Sequence, residues 1–197
     1  FCQGQCGYDI AVNVPKDDPD QVVLSGSMNY DEIFTGTPPS NGRAVVRSTN
    51  AGVSFTDMTN DVENNGLHPD HHALVFAPNS HGNVFFSGSD GGVVRQSGPF
   101  VDASAECASR GLSATQQTNC EGYLKAIPTS NTDINDGLNT LQFQSAFASH
   151  DDSAIQGGTQ DNGTWESDFE GGWAETVGGD GGNGGFNATD SSIRYHA

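Results

Sequence analysis

The stretch from His68 to Arg95, HPDHHALVFAPNSHGNVFFSGSDGGVVR, opens on three side chains whose types suit ligation: His68, Asp70 and His72. If residues 68–72 are extended, side chains two apart point to the same side, so these three share one face while Pro69 and His71 take the other. Imidazole with carboxylate suits zinc or another transition metal, whereas an oxygen-richer shell suits calcium. A divalent cation of either kind is the cofactor the trio would hold. The competing reading is that the three hydrogen-bond to neighbouring strands and satisfy buried backbone groups, as buried polar groups must.

Three further carboxylates, Asp90, Asp161 and Asp180, each precede Gly or Asn-Gly in SDGG, QDNG and GDGG. Each is read as following an inner strand, so the three are expected to gather around one end of a central channel. Converging carboxylates can act as acid and base on a glycoside, with one member protonated. They can equally bind a cation, or cap their turns through Asx hydrogen bonds. Gln160, beside Asp161 in GGTQDNGTW, joins His68, Asp70 and His72 as a ligand-binding candidate. Asp133–Gly137 is no EF-hand, because Gly137 arrives one residue early and Gln144 stands where the closing Glu belongs. GGDGGNGG is followed by no Lys, which argues against a phosphate-binding loop.

The elements that must position these residues recur along the chain. Residues 8–27, YDIAVNVPKDDPDQVVLSGS, read as an alternating strand, a Pro/Asp turn and a β-branched strand. HALVFAPNSHGNVFFSGS repeats the skeleton, QSAFASHDDSAIQGGTQD gives a degenerate copy, and GFNATDSSIRYHA starts a fourth. Superposing the turns puts Pro15, Pro78, His150 and Thr189 in register, at intervals of 63, 72 and 39 residues. Repeats of this kind, each built from several short strands, are the signature of a β-propeller with four-stranded blades. The expected fold is all-β, a partial β-propeller over residues 1–197 with about three to four blades of a larger ring. Since propellers close with about four to eight blades, the chain is expected to be part of a longer polypeptide or to be completed by other chains.

Residues 97–139 depart from the skeleton and are expected to form an insertion between blades, stapled by Cys107 and Cys120 around a short helix near Ala103–Arg110. With Cys2 and Cys6 they form two local groups, which read as two disulfides or as reduced thiols. Disulfides would place the protein in an oxidising compartment, secreted or extracellular. Seven Lys and Arg stand against 25 acidic residues, a formal charge of -18, which excludes nucleic-acid binding by phosphate neutralisation. No apolar run is long enough to span a membrane as a helix.

Ser48-Thr49-Asn50-Ala51-Gly52-Val53-Ser54-Phe55 matches S-x-D-x-G-x-x-[FW] with Asn50 in place of Asp, and it resembles the Asp-box, or BNR, hairpin of sialidase-like propellers. HPDHHALVF, SGSDGGVVR, LNTLQFQS, GGTQDNGTW and GGDGG together resemble a run of motifs in secreted bacterial propellers of the glycosyl-hydrolase-like Asp-box superfamily. The resemblance covers about Tyr8 to Ala197. It implies a propeller and leaves the activity open, because that superfamily spans hydrolases, lyases, receptors and assembly factors. Sialidases hold the substrate carboxylate with an arginine triad, and Arg43, Arg47, Arg95, Arg110 and Arg194 do not present one, since Arg47 and Arg95 read as structural strand residues. The expected function is an extracellular recognition or structural module binding a glycan, a protein or a sister subunit. The alternative is a glycoside hydrolase-like enzyme using Asp90, Asp161 and Asp180.

Overall fold

The computed structural model describes residues 2–34, 36, 38–138 and 141–196. Asn139 and Thr140 of the LNTLQFQS motif lie outside the described residues. The chain divides into two compact units, one ending at Gly137 and one beginning at Leu138. The fold is mostly β, with four antiparallel sheets and few helices, and the described strands form no closed barrel.

The first unit contains two four-stranded meanders. One runs β1 (Ile10–Asn13), β2 (Val22–Gly26), β3 (Val45–Ser48) and β4 (Thr56–Asp57), in that spatial order. The other runs β5 (His71–Phe76), β6 (Val84–Ser89), β7 (Gly92–Ser97) and β8 (Ser130–Asp133). The second unit contains a third meander of β9 (Phe147–Ala148), β10 (Ile155–Gly158), β11 (Thr164–Ser167) and β12 (Trp173–Val177). It also holds a hairpin of β13 (Gly184–Phe186) and β14 (Arg194–His196). Pro15, Pro78, His150 and Thr189 fall in the turns β1–β2, β5–β6, β9–β10 and β13–β14, so each sequence copy opens one sheet.

Alternation decides which face of each strand is covered. On β2, Val23 and Ser25 are buried while Val22 and Leu24 are half-buried. Val23 joins Val45, Met58, Leu67, Leu74 and Phe85 in one core, with Ala11, Phe76, Val94 and Phe100 packed against it, so the two sheets of the first unit share a hydrophobic centre. Phe85 has no exposed surface, and burial of a side chain of this kind contributes about 1.5–3 kcal/mol. Arg47, on β3, stacks its guanidinium 4.0 Å from the centroid of Phe100, and burial pushes it down to about 10.

The β3–β4 hairpin is held by its own side chains. Ser48 Oγ accepts from the Gly52 amide at 2.9 Å, and Asn50 Oδ1 accepts from the Ser54 amide at 2.9 Å. Gly52 sits at φ 83, in the left-handed region that suits glycine.

The inserted segment joins the third and fourth strands of one sheet, because β8 follows it and pairs with β7. It carries a 3-10 helix at Ser104–Ser109 and an α-helix, α1, at Ala114–Tyr123. Ser113 starts α1 with a capping box: its Oγ accepts from the Gln116 amide while the Gln116 side chain returns to the Ser113 amide. Both disulfides form, Cys2–Cys6 and Cys107–Cys120. Cys107 and Cys120 are buried with Leu124 and Ile127 in a small core of their own. Asn131 of β8 ties this sheet to the segment after β4, donating to Thr59 O at 3.1 Å and Asn65 O at 2.9 Å while accepting from Gln96 Nε2 at 3.1 Å.

Candidate functional site

The strand expected to align His68, Asp70 and His72 begins only at His71. Asp70 sits at φ 62, so the alternation assumed for residues 68–72 is broken in its middle, and the pairing of β5 with β6 shifts register between His71 and Ala73. His68 turns back, with Nδ1 2.8 Å from Pro69 O. Its ring packs on Gly91, where an added Cβ would fall 2.6 Å from the ring's Cγ. His71 faces the interior at 1% exposure, and burial pushes it down to about 4, so it is neutral at ordinary pH. The trio therefore does not converge as a unit. Among the described residues, no group of three or more His, Cys, Asp or Glu is disposed to hold a metal ion.

What the fold does bring together is His72, Asp70, Asp90 and Asp9. His72 Nε2 lies 3.1 Å from Asp90 Oδ1, and His72 Nδ1 lies 3.4 Å from Asp9 Oδ1. Asp90 occupies the two-residue turn between β6 and β7, and Asp9 immediately precedes β1, so the imidazole bridges the two sheets of the first unit. Tyr8 meets the His72 ring edge-on, with centroids 5.3 Å apart.

Asp9 has no exposed surface, and neither of its carboxylate oxygens finds a hydrogen-bond donor; the same holds for Asp70 Oδ1. Burial, first, and then the Asp70 carboxyl facing it raise Asp9 to about 6, against an opposing pull from His72. Two carboxylates that face each other without donors satisfy one another only when one carries a proton, whose O–H then donates to the other. The arrangement is thus a proton-sharing carboxyl pair backed by an imidazole. Both ring nitrogens of His72 face carboxylate oxygens, Nε2 hydrogen-bonding with Asp90 and Nδ1 standing near Asp9.

Asp9 was not among the sequence candidates, although the repeat register holds its signal. It stands six residues before Pro15, as His72 stands six before Pro78.

Asp161 and Asp180 belong to the second unit. Asp180 follows β12, the fourth strand of its sheet, so the expectation that all three Asp-Gly corners succeed inner strands does not hold for it. Asp180 Oδ1 accepts from the Asp161 amide at 3.0 Å, and Asp161 adopts φ 57 in the turn between β10 and β11. Asp180 thus caps the turn that holds Asp161. Gln160 exchanges contacts with Gln142: its amide donates to Gln142 O at 3.2 Å, and its Oε1 lies 3.4 Å from Gln142 Nε2. The glycines around Asp180 serve close backbone approach, since a Cβ on Gly181 would fall 2.1 Å from Gly163 O.

No protein-family model and no curated protein matches the chain. Among solved structures, an ancestral GH74 enzyme aligns with 95% of this chain and 23% of its own length, with a TM-score of 0.32 and 14% identity. The chain spans less than a quarter of that structure. No helix of the described residues is long and apolar enough to cross a membrane.

Proposed function

We propose that the chain is a segment of an Asp-box-type β-propeller that acts outside the cell as a recognition module, binding a glycan through its loops and completed by further blades or a sister subunit. Three four-stranded meanders and a hairpin, each opened by one copy of the same sequence skeleton, support the architecture. Two disulfides support an oxidising compartment. The observation that carries recognition over catalysis is the state of the polar cluster. A fully buried Asp9, with the His72 imidazole lying between it and Asp90 of the other sheet, supports a latch between sheets. The hydrolase alternative draws on the raised Asp9 carboxyl, the property a general acid needs, but that carboxyl has no exposed surface.

The test is to incubate the natively isolated protein with a panel of insoluble and soluble polysaccharides and to measure retention and release of reducing ends on the same samples. Retention without release is expected. Release abolished by Asp90→Asn would overturn this reading in favour of the hydrolase.

A further inference from the structure

Five buried oxygens in the first unit have no hydrogen-bond partner among the described residues: both of Asp9, Oδ1 of Asp70, and the hydroxyls of Ser25 and Ser27. The register of β1 and β2 sets four of them together. Ala11 pairs with Ser25 and Ile10 with Gly26, so one step further outward Asp9 stands opposite Ser27. Residues two apart in a strand face the same way, which puts Asp9, Ser25 and Ser27 on one side of the sheet. That side also carries Val23 and Val45 into the core shared with the second sheet. Asp70, just before β5, brings its carboxyl to Asp9 from the second sheet.

A proton shared between Asp9 and Asp70 answers for the two carboxyls and leaves both hydroxyls unexplained. Ser25 and Ser27 are 0 and 1% exposed, and water therefore does not take up their hydrogen-bonding capacity from the surface. A hydroxyl rotates to suit whatever acceptor it can reach, and a buried one that bonds to nothing is costly. A hard cation reconciles all five oxygens. Calcium takes about 6–8 oxygen ligands in flexible geometry, of which these residues supply five, with two negative charges. Water or a backbone carbonyl can supply the rest. Magnesium keeps several waters and suits such a cage poorly, and zinc favours nitrogen and sulfur. The set includes only two carboxylates, so it is distinct from a group of three or more His, Cys, Asp or Glu, none of which is disposed to hold a metal among the described residues. Asp70 is half-buried, which leaves the ion a way in beside it.

We infer that Asp9, Asp70, Ser25 and Ser27 form a calcium site that ties the first sheet to the second. The proton-sharing pair is the ion-free form of the same site.

The experiment titrates the EDTA-stripped protein with calcium chloride by calorimetry at neutral pH and follows its thermal unfolding with and without the ion. The variants are Asp9→Asn, and Ser25→Ala with Ser27→Ala. The serine variant loses only hydroxyls that bond to nothing, so its ion-free Tm should match or exceed that of the wild type. A single calcium ion is expected to bind the wild-type chain and raise its Tm. Affinity should fall about tenfold or more in the serine variant, and the rise in Tm should vanish in Asp9→Asn. A chain of formal charge -18 also gathers cations at its surface, and calcium bound equally by all three proteins would be of that kind and would overturn the site. A wild-type Tm that calcium leaves unchanged would overturn it as well.

Discussion

Replacing Asp9 with Asn probes the carboxyl pair, because the side chain keeps its shape and loses its titration. Native Asp9 titrates at about 6 against 3.8 for the free side chain, so between those values the folded protein holds a proton that the unfolded chain releases. The stability this contributes is fully present below 3.8 and is lost as pH rises through about 6. A shift of that size corresponds to about 3 kcal/mol at full strength. Solvent at the half-open His72 rim reduces it to about 1–2 kcal/mol, or about 2–8 °C in Tm for a chain of this length. The assay is thermal unfolding followed by circular dichroism for both proteins from about pH 4 to about pH 7. The wild-type advantage over Asp9→Asn is expected to shrink by that amount across the range. The amide introduced by Asp9→Asn also offers a donor to Asp70 Oδ1, which has none, so the variant is expected to be the more stable form at the upper end. Parallel curves, or an advantage that grows with pH, would refute the proton-sharing pair.

Three further outcomes follow from the packing. Cys107→Ala with Cys120→Ala opens a link between residues separated by 13 in sequence, a loss of about 3 kcal/mol. Hydrogen exchange should show it first in the small core around Leu124 and Ile127. Phe85→Ala empties the centre of the larger core and should cost about 3–5 kcal/mol by urea titration. Asn131→Ala removes three buried hydrogen bonds at once, although Gln96 Nε2 still donates to Met58 O, and Thr59 O and Asn65 O still accept from the amides of Leu67 and Asp61. It should cost about 1–3 kcal/mol in the same titration.

The hairpins were legible because they rest on local chemistry. A β-branched alternation, a Pro- or Asp-rich turn and a Ser-Gly exit state the β1–β2 and β5–β6 pairings outright, and the four turn positions landed where the sequence copies put them. Ser48, Asn50 and Gly52 likewise carry their own turn, since every bond that closes it spans at most four residues. The insertion was only half legible. Its departure from the skeleton and its cysteines are visible in composition, but the return to the same sheet depends on pairing of Ser97 with Ser130 across a long loop, which no local pattern records. Asn131 shows the same limit. It reads as an ordinary polar residue, and its role arises only from partners more than 60 residues away.

The polar cluster shows why a motif can be found while its geometry is misread. HxDxH assumes uninterrupted strand alternation, and a single left-handed residue at Asp70 re-aims the groups on either side of it. The repeat register is the better guide, because sheet packing acts on whole copies and not on neighbours in sequence. Six residues before the superposed turns stand Asp9, His72, Gln144 and Asn183, polar in every copy. In the first unit, two of these positions meet as an acid and an imidazole 3.4 Å apart. Asp9 and His72, at matching places in successive copies, thus tie one sheet of the first unit to the next, a contact that the register of the copies points to and the HxDxH spacing does not.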